Sequence, residues 1–425
     1  MLDVTLIRQH PDRVRAALRK RAVDADLPAF LALDTAFREA RTAVERLRGE
    51  RRRISADIAV RRRAGEPAEE LQARAKELTD RLTDTETELT RLAREHQDFL
   101  DALPNLPDDD VVAGGKENNE VVRVTGTPPV FDVTAKDHVQ LAENLGLVDY
   151  RRGTRLAGSG HWIYRGDGAA LEWALLNHFL DTHRRAGYEF VLPPHLLTHE
   201  AGYTAGQFPK FADEVYRTDD DHFLLPTAET ALVNLHRGET LDEAELPLKY
   251  VSYTPCYRKE AGGYRAAERG TLRGHQFNKV ELFQFARPED SDAAQLELLA
   301  AAEELVTGLG LHHRVTKLAA EDTSPAQAKT YDVEVWLPSL GAYAEVSSVS
   351  NAREYQARRG GIRYRPAGGG RPAYVHTLNA SGLATSRLLP AILEQHQRAD
   401  GTVEVPEALW RWGAPEVLRP RVTRG

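Results

Sequence analysis

The chain has 425 residues, enough for two or three domains that each bury a core, and its net charge of −8 excludes a general attraction to polyanions. A single cysteine, Cys256, excludes an intramolecular disulfide and a multi-cysteine zinc site, so no zinc is expected. The sequence contains no run of about twenty apolar residues and no signal-peptide pattern at its start, so we expect a cytoplasmic protein without membrane contact.

Two helical stretches with apolar residues at alternating steps of three and four come first. Phe37, Val44 and Leu47 belong to the first stretch, and the second covers residues 71–103. Between them lies the stretch 63–67, which contains a glycine and a proline, and both residue types end helices. The spacing predicts an antiparallel two-helix coiled coil over about residues 31–103, which forms an arm about 45 Å long.

Six arginines in two triplets lie near the predicted tip of this arm: Arg51, Arg52, Arg53, Arg61, Arg62 and Arg63. Coiled coils carry charges on their outer faces, so simple solvation is one interpretation. The triplets have few acidic neighbours, however, and guanidinium groups bind phosphate well. The pattern therefore favours contact with a nucleic-acid backbone.

Residues 105–125 have the turn-rich composition of a linker, which separates an arm of residues 1–104 from a domain of residues 126–425. In that domain, strands are predicted over 188–192, 223–225, 250–258, 276–285, 331–337, 343–350 and 374–378, and helices over 171–185, 291–309 and 388–398. Short loops such as 338–341 favour an antiparallel sheet. The predicted class is α+β, with an all-helical arm in front.

The stretches 257–260 and 273–281 carry the strongest chemical pattern. On a strand, Phe277 and Glu281 share a face and lie about 13 Å apart, which is about the length of an aminoacyl adenylate. Phe277 can stack on adenine, Glu281 can bind an ammonium, and Arg258 and Arg273 suit a phosphate. An amphipathic hairpin with solvated charges is the alternative. The sequence lacks the glycine patterns of P-loop and Rossmann sites, so those nucleotide folds are not expected.

Several motifs in order make the chain resemble bacterial seryl-tRNA synthetases, which are class II aminoacyl-tRNA synthetases. The motifs are GQFPKF (206–211), PTAE (226–229), YTPCYRKE (253–260), HQFNKVEL (275–282), KTYD (329–332), EVSS (345–348) and HTLNASGLATSR (376–387). The resemblance implies ATP-dependent activation of L-serine and transfer of the seryl group to serine tRNA, and by analogy to selenocysteine tRNA. It also implies Mg²⁺, a homodimer with its interface around Leu192, and an arm that holds the tRNA, without DNA binding.

The resemblance further implies roles for individual residues. The catalytic candidates are Arg258, Glu260 and Arg387. The implied serine pocket comprises Thr227, Ala228, Glu229, Arg258, Glu281, Asn379 and Ser381. The implied ATP site comprises Arg258, Lys259, Glu260, Arg273, Phe277, Glu345, Val346, Ser347, Ser348 and Arg387. Mg²⁺ is implied at Glu345 and Ser348, and tRNA at Arg51, Arg52, Arg53, Arg61, Arg62 and Arg63.

The chain departs from the family pattern beside the pocket. Residues 265–268 replace the usual Gly-Arg-Asp-Thr stretch, and Gly274 stands where a longer side chain is common. We therefore hypothesise a divergent copy that serves specialised metabolism or tolerates a serine-mimicking inhibitor. Ordinary inhibition by a serine-adenylate mimic would contradict the tolerance version.

Two other functions stay open. The first is activation of a serine-type amino acid for a carrier protein, although relatives of that sort lack the long arm. The second is a non-catalytic, tRNA-binding regulator, although Arg258, Glu281 and Arg387 are all retained.

Overall fold

The computed structural model describes residues 1–260 and 269–420. By their contacts these residues form two compact units. The first unit comprises Met1–Arg19 and Val23–Pro104, and the second comprises Lys20–Ala22 and the chain from Asn105 onward. The arginine triplets belong to the first unit, and the predicted ATP and serine sites belong to the second.

Helices account for the secondary structure of the first unit: α1 (Val4–Gln9), α2 (Pro11–Arg19), α3 (Leu27–Ala64) and α4 (Glu69–Ala102). The α3 helix begins at a cap, because the Asp26 side chain accepts a hydrogen bond from the Ala29 backbone N–H at 2.9 Å. It ends at Gly65, whose φ of 70° is a left-handed conformation that glycine adopts without a Cβ clash.

The seam between α3 and α4 is built from the residues that the spacing selected. Val44, Leu47 and Ile54 of α3 pack in one buried cluster with Leu78 and Leu82 of α4. The 38 residues of α3 correspond to a length of about 57 Å. The predicted coiled-coil arm is confirmed, although α3 is longer than the predicted length of about 45 Å.

The second unit contains the remaining helices and all described strands. Its helices are α5 (His138–Asn144), α6 (Tyr150–Ala157), α7 (Asp167–Arg185), α8 (His199–Ala205), α9 (Glu229–Leu232), α10 (Ser291–Gly308), α11 (Tyr355–Gly360) and α12 (Thr385–Gln395). Its strands are β1 (Glu120–Thr125), β2 (Val148–Asp149), β3 (Ile163–Tyr164), β4 (Glu189–Phe190), β5 (Leu196–Thr198), β6 (His222–Leu224), β7 (Thr240–Asp242), β8 (Leu248–Tyr257), β9 (Gln276–Ala286), β10 (His313–Lys317), β11 (Lys329–Leu337), β12 (Ala342–Arg353), β13 (Arg363–Arg365), β14 (Ala373–Tyr374), β15 (His376–Ala384), β16 (Val403–Glu404) and β17 (Val417–Leu418). Among the described helices of both units, none has the length and hydropathy that a membrane crossing requires.

Eight strands form the central sheet, in the order β1, β10, β11, β12, β15, β9, β8 and β4. Neighbouring strands run antiparallel, except that β4 and β8 run parallel. Leu175 of α7, Leu298 of α10 and Ile392 of α12 are buried in the same core as Leu282 and Val349 of the sheet. The predicted α+β class with an antiparallel sheet is confirmed.

The structure corrects some predicted boundaries. Residues 120–125 at the end of the predicted linker form β1, which pairs with β10 at the edge of the sheet. Turn-forming residues before β1 dominate the composition of the predicted linker, which is why the prediction extends over the whole stretch. The last six residues are nevertheless rich in valine, which favours strands. The strand predicted over 188–192 is limited to Glu189–Phe190, and the helix predicted over 388–398 is α12, which begins earlier, at Thr385.

Candidate active site

The predicted site residues converge on one face of the central sheet. Ser252 of β8, Glu281 of β9 and Ser381 of β15 are directly opposite one another in the strand register. Opposite residues of antiparallel strands share a face, and so do residues two apart along a strand. Phe277 and Lys279 of β9 therefore lie on the same face as Glu281.

A β-bulge in β12 brings two more predicted residues to this face. Asp332 of β11 pairs with Ser348, and Glu334 pairs with Glu345, so β12 has one extra residue at Val346 between these pairs. The extra residue interrupts the strict alternation of side chains. Glu345 and Ser348 therefore share a face although they are an odd number of residues apart.

A pocket opens on this face, and many of the predicted ATP-binding residues line it. The predicted residues in its wall are Arg258, Glu260, Arg273, Phe277, Glu345, Val346, Ser381 and Arg387. Arg273 Nη2 lies 2.5 Å from Glu260 Oε2, and this ion pair forms part of the wall. Three guanidinium groups thus surround a space that suits a polyphosphate.

Among the described residues, contacts hold the Arg258 guanidinium group on its Nε side and leave its two Nη groups free. Its Nε donates to the carbonyl oxygen of Pro226 at 3.2 Å, and its guanidinium carbon lies 5.1 Å from the centre of the Phe277 ring. Its two Nη groups have no hydrogen-bond partner within residues 1–260 and 269–420. The free edge of the guanidinium group can therefore bind phosphate oxygens in a fork.

Arg387 and Glu345 lie at another wall of the pocket. Arg387 Nη1 donates to the Glu345 carbonyl oxygen at 2.9 Å and lies 3.1 Å from Glu345 Oε2. Burial favours the neutral form of Glu345, but Arg387 and Arg258 outweigh it and hold the pKa of this carboxyl below its usual value. Burial and then the charge of Glu345 raise the pKa of Asp332, which accepts a hydrogen bond from Ser348.

The predicted serine pocket is centred on Glu281, whose side chain is fully buried and forms an ion pair with Lys279. Thr227 Oγ1 donates to Glu281 Oε2 at 3.3 Å, and Asn379 Nδ2 donates to Glu281 Oε1 at 3.2 Å. Lys279 Nζ also donates to Thr227 Oγ1 at 2.6 Å. These hydrogen bonds join residues of the predicted serine pocket into one buried polar cluster on the same face as Phe277.

Glu229, the first residue of α9, is a second buried acid in this region. Burial, followed by the charge of Glu281, raises the pKa of Glu229 to about 7. Two glutamine side chains, Gln356 and Gln327, donate to its Oε1 atom at 2.7 and 3.1 Å. The pocket therefore contains two carboxyl groups that can meet an ammonium.

Known proteins are similar to this chain along nearly its whole length. A family model described as "Seryl-tRNA synthetase N-terminal domain" matches residues 1–107, and one described as "tRNA synthetase class II core domain (G, H, P, S and T)" matches residues 211–396. A protein of Clostridium acetobutylicum named serine–tRNA ligase 2 is 54% identical over 98% of this chain and 100% of its own. The chain belongs to the seryl-tRNA synthetase family.

Two solved structures are similar to this chain over 99% of its length. The seryl-tRNA synthetase of Pyrococcus horikoshii, solved with ATP, is 36% identical with a TM-score of 0.91 and covers 99% of this chain and 100% of its own. The cytoplasmic serine-tRNA ligase of Naegleria fowleri, solved with AMP, is 27% identical with a TM-score of 0.86 and covers 99% of both chains. The family resemblance inferred from the motifs is confirmed.

Some residues implied by the family pattern lie outside the pocket. Ala228 is fully buried in an apolar cluster, and the Lys259 side chain is exposed and does not line the pocket. Ser347 points to the opposite face from Ser348 because neighbouring strand residues alternate, and its Oγ donates to the Ser381 carbonyl oxygen at 2.6 Å. Residues 265–268, where we expect a departure from the family pattern, lie outside the described residues.

The arginine triplets of this seryl-tRNA synthetase lie on α3. All six side chains are exposed, and none forms an ion pair with an acidic side chain in the described part of the chain: Arg51, Arg52, Arg53, Arg61, Arg62 and Arg63. Unpaired guanidinium groups at a surface keep their full charge available for a ligand. They add local positive charge along α3 to a protein whose net charge is negative.

Glu172 of α7 is a buried acid that sequence reasoning did not select. Its Oε1 accepts hydrogen bonds from Thr385 Oγ1 at 2.6 Å and from Asn278 Nδ2 at 2.8 Å, so it joins α7 to β9 and to the start of α12. Its Oε2 has no hydrogen-bond partner among the described residues. Burial raises the pKa of Glu172 to about 7 despite these two donors.

We expect Glu172→Gln to stabilise the protein at pH 8 and to have little effect at pH 5. The folded state holds a proton on Glu172 that an unfolded chain releases above its ordinary pKa of 4.5, so wild-type stability falls as pH rises from about 4.5 to 7. The wild type loses at most about 3 kcal/mol of its free energy of unfolding over this pH range. The measurement is the unfolding midpoint of both proteins at pH 5 and pH 8. Equal midpoint differences at the two pH values would contradict the assignment.

Gly274, where we expect a departure from the family pattern, has no room for a larger residue. A Cβ atom built there lies 2.2 Å from the Trp162 ring and 2.9 Å from the Gly160 carbonyl oxygen. Gly274 is not among the glycines with positive φ, so backbone conformation does not demand glycine. The Trp162 indole fills the place of the missing side chain, directly behind the pocket wall that Arg273 and Phe277 share with Gly274.

We expect Gly274→Ala to raise the KM for ATP by about tenfold, because overpacking costs about 1–3 kcal/mol and shifts this wall. Trp162→Ala in the same chain should restore the KM to within about threefold, since the smaller side chain frees the space. Gly308→Ala is the matched control, because a Cβ atom at Gly308 meets nothing within 4 Å. Failure of the double variant to recover would show that the indole is not the only obstacle and that the Gly160 carbonyl oxygen also excludes a Cβ atom.

Proposed function

We propose that this protein activates L-serine with ATP to form seryl-adenylate and transfers the seryl group to the 3′ end of serine tRNA. The observation that carries the proposal is the arrangement on one sheet face, with Arg258 and Phe277 at one end, Lys279 in the middle and buried Glu281 at the other. The four residue steps from Phe277 to Glu281 span about 13 Å along a strand, which matches an aminoacyl adenylate. By family analogy, selenocysteine tRNA is a second acceptor.

The first chemical step requires alignment and positive charge. An oxygen of the serine carboxylate attacks the α-phosphorus of ATP, the bond from that phosphorus to the bridging oxygen breaks, and pyrophosphate leaves with the bonding electrons. A carboxylate is already a nucleophile, so no general base is needed. The free Nη groups of Arg258 would hold the α-phosphate, and Arg387 would hold the far end of the triphosphate.

The second step transfers the seryl group. A terminal ribose hydroxyl of the tRNA attacks the carbonyl carbon of the adenylate, its proton is lost to solvent or phosphate, and AMP leaves. The polar pocket would select the amino acid. Alanine would leave the groups that bind the serine hydroxyl without a partner, and a buried unpaired group is costly. The extra methyl group of threonine would need space that a closed pocket lacks.

Mg²⁺ is proposed to bind together with ATP. Glu345 and Ser348 offer oxygen ligands on the pocket face, and Mg²⁺ commonly uses one or two protein oxygens together with phosphate oxygens and water. The described residues contain no group of three or more His, Cys, Asp or Glu side chains arranged for a metal. The nucleotide would therefore complete the coordination, and the ion would neutralise charge on the phosphates.

The arm and the surface support two further parts of the proposal. The exposed arginine triplets on α3 would bind the tRNA backbone. A homodimer is supported by exposed apolar side chains, since Trp173 of α7 and Leu192, around which the interface is implied, are 55% and 69% exposed. We propose that the enzyme acts as a cytoplasmic homodimer.

The decisive experiment measures two reactions of the purified full-length protein with Mg²⁺. Serine-dependent exchange of labelled pyrophosphate into ATP and charging of purified serine tRNA are both expected, with alanine and threonine as controls. Exchange without tRNA charging would favour the carrier-protein alternative. Binding of tRNA with neither reaction would favour the regulatory alternative.

A further inference from the structure

Two amide side chains from different parts of the fold hold Glu229. Gln356 belongs to α11, and Gln327 lies in the segment between β10 and β11. Both donate to Glu229 Oε1, at 2.7 and 3.1 Å, and both are almost fully buried, with exposed fractions of 1% and 4%. Glu229 Oε2, in contrast, has no hydrogen-bond partner in the described part of the chain.

The neighbours of Gln356 fix which end of its amide faces Glu229. Its Nε2 also donates to the Ala205 carbonyl oxygen at 3.0 Å, and its Oε1 accepts from Thr377 Oγ1 at 2.6 Å. A carbonyl oxygen can only accept, so the nitrogen must be the end that faces both Ala205 and Glu229. The donor to Glu229 is therefore in place before any substrate arrives.

Gln327 is fixed through its backbone as well as its side chain. Its Nε2 lies 3.3 Å from Asn379 Oδ1, which ties Glu229 to another residue of the serine pocket. The buried guanidinium of Arg21 donates to the carbonyl oxygen of Thr323 at 2.8 Å and also to that of Gln327. This anchoring holds the segment that presents the amide.

The charge state of Glu229 depends on opposing influences. Burial and the nearby carboxylate of Glu281 favour the protonated form, whereas Gln356, the ammonium of Lys279 and Gln327 favour the carboxylate. The balance leaves the pKa of Glu229 at about 7. At this balance point, the loss of one donor changes the ionised fraction most strongly near neutral pH.

We propose that Gln356 and Gln327 are positioning residues for the amino-acid substrate, which keep Glu229 charged and present its free oxygen to the substrate's ammonium. This inference rests on the proposed function. The apparent affinity for serine is the intrinsic affinity multiplied by the ionised fraction of Glu229. The KM for serine should therefore fall as Glu229 ionises with rising pH. Loss of either amide should move this change in KM to higher pH.

The test measures the KM for serine in pyrophosphate exchange, at saturating ATP, between pH 6.5 and 8.5. For the wild type we expect the KM to fall about fourfold over this range, since the carboxylate becomes fully ionised. Gln356→Met should move the midpoint about one pH unit upward. Its KM should exceed the wild-type value about eightfold at pH 6.5 and less than twofold at pH 8.5, with kcat within about threefold.

Gln327→Met should shift the profile in the same direction, and it keeps the inference testable if Gln356→Met does not fold. Gln397→Met is the matched control, because the Gln397 amide bonds to Lys136 and Glu394 backbone oxygens outside the pocket. Two results would overturn the inference: a KM for serine raised equally at every pH, or a lower unfolding temperature with an unchanged pH dependence of the KM. Either result would show that the amides only stabilise the fold. A wild type without serine-dependent exchange would instead overturn the proposed function.

Discussion

Replacing Arg258 with alanine is expected to lower kcat for serine-dependent pyrophosphate exchange by about 10³-fold or more. The free edge of this guanidinium group faces the pocket, where charge on the α-phosphate must be stabilised as the carboxylate attacks. A single arginine that stabilises a phosphoryl-transfer transition state contributes about 10³–10⁵ in rate. Because the Nε of Arg258 already bonds to Pro226, the fork is held in position before ATP binds.

Two further variants separate the charge of Arg258 from its geometry. Arg258→Lys keeps the charge but loses both the fork and the Nε hydrogen bond, so a loss of about 10²-fold is expected. Arg371→Ala, in the exposed loop between β13 and β14, is the matched control and should retain full activity. An Arg258→Ala enzyme with normal folding and exchange within tenfold of the wild type would remove this residue from the mechanism.

The sequence predicted the parts of the site that follow from local periodicity. The alternation of side chains along a strand was enough to put Phe277 and Glu281 on one face, and the strand register agrees. The same alternation placed Lys279 on that face, although the interpretation did not use it. The ion pair of Lys279 with Glu281 was therefore within reach of sequence reasoning.

The position of Glu345 could not be predicted in the same way. Strict alternation would place Glu345 and Ser348 on opposite faces, and only the extra residue at Val346 brings them together. A bulge depends on how two strands pair, and pairing is a tertiary property. The family motif supplied Glu345 as a candidate, whereas the physical reason for its position required the fold.

The residues that support the pocket from behind were beyond sequence reasoning for a similar reason. Gln327 and Gln356 reach Glu229 from segments about one hundred or more residues away in sequence. Glu172 likewise meets Asn278 and Thr385 only because α7 packs beside β9 and α12. A polar residue in a helix or loop is usually solvated, so nothing in the local sequence marks these contacts.

Glu281→Gln is expected to raise the KM for serine by about 10²-fold or more and to lower the unfolding temperature at the same time. The change removes the negative charge at the bottom of the pocket, which would bind the substrate's ammonium. It also leaves the buried Lys279 ammonium without its closest counter-charge. Breaking a buried ion pair by removing one partner costs about 3–5 kcal/mol.

Lys279→Met combined with Glu281→Gln separates these two effects. The double variant has no unpaired buried ammonium, so it should recover most of the lost unfolding temperature. It should keep the raised KM for serine, because the pocket has lost one of its two carboxyl groups and the lysine between Phe277 and Glu281. If the double variant recovered serine-dependent exchange along with stability, Glu281 would be a structural acid, and Glu229 would be the remaining carboxyl group of the serine pocket that meets the ammonium.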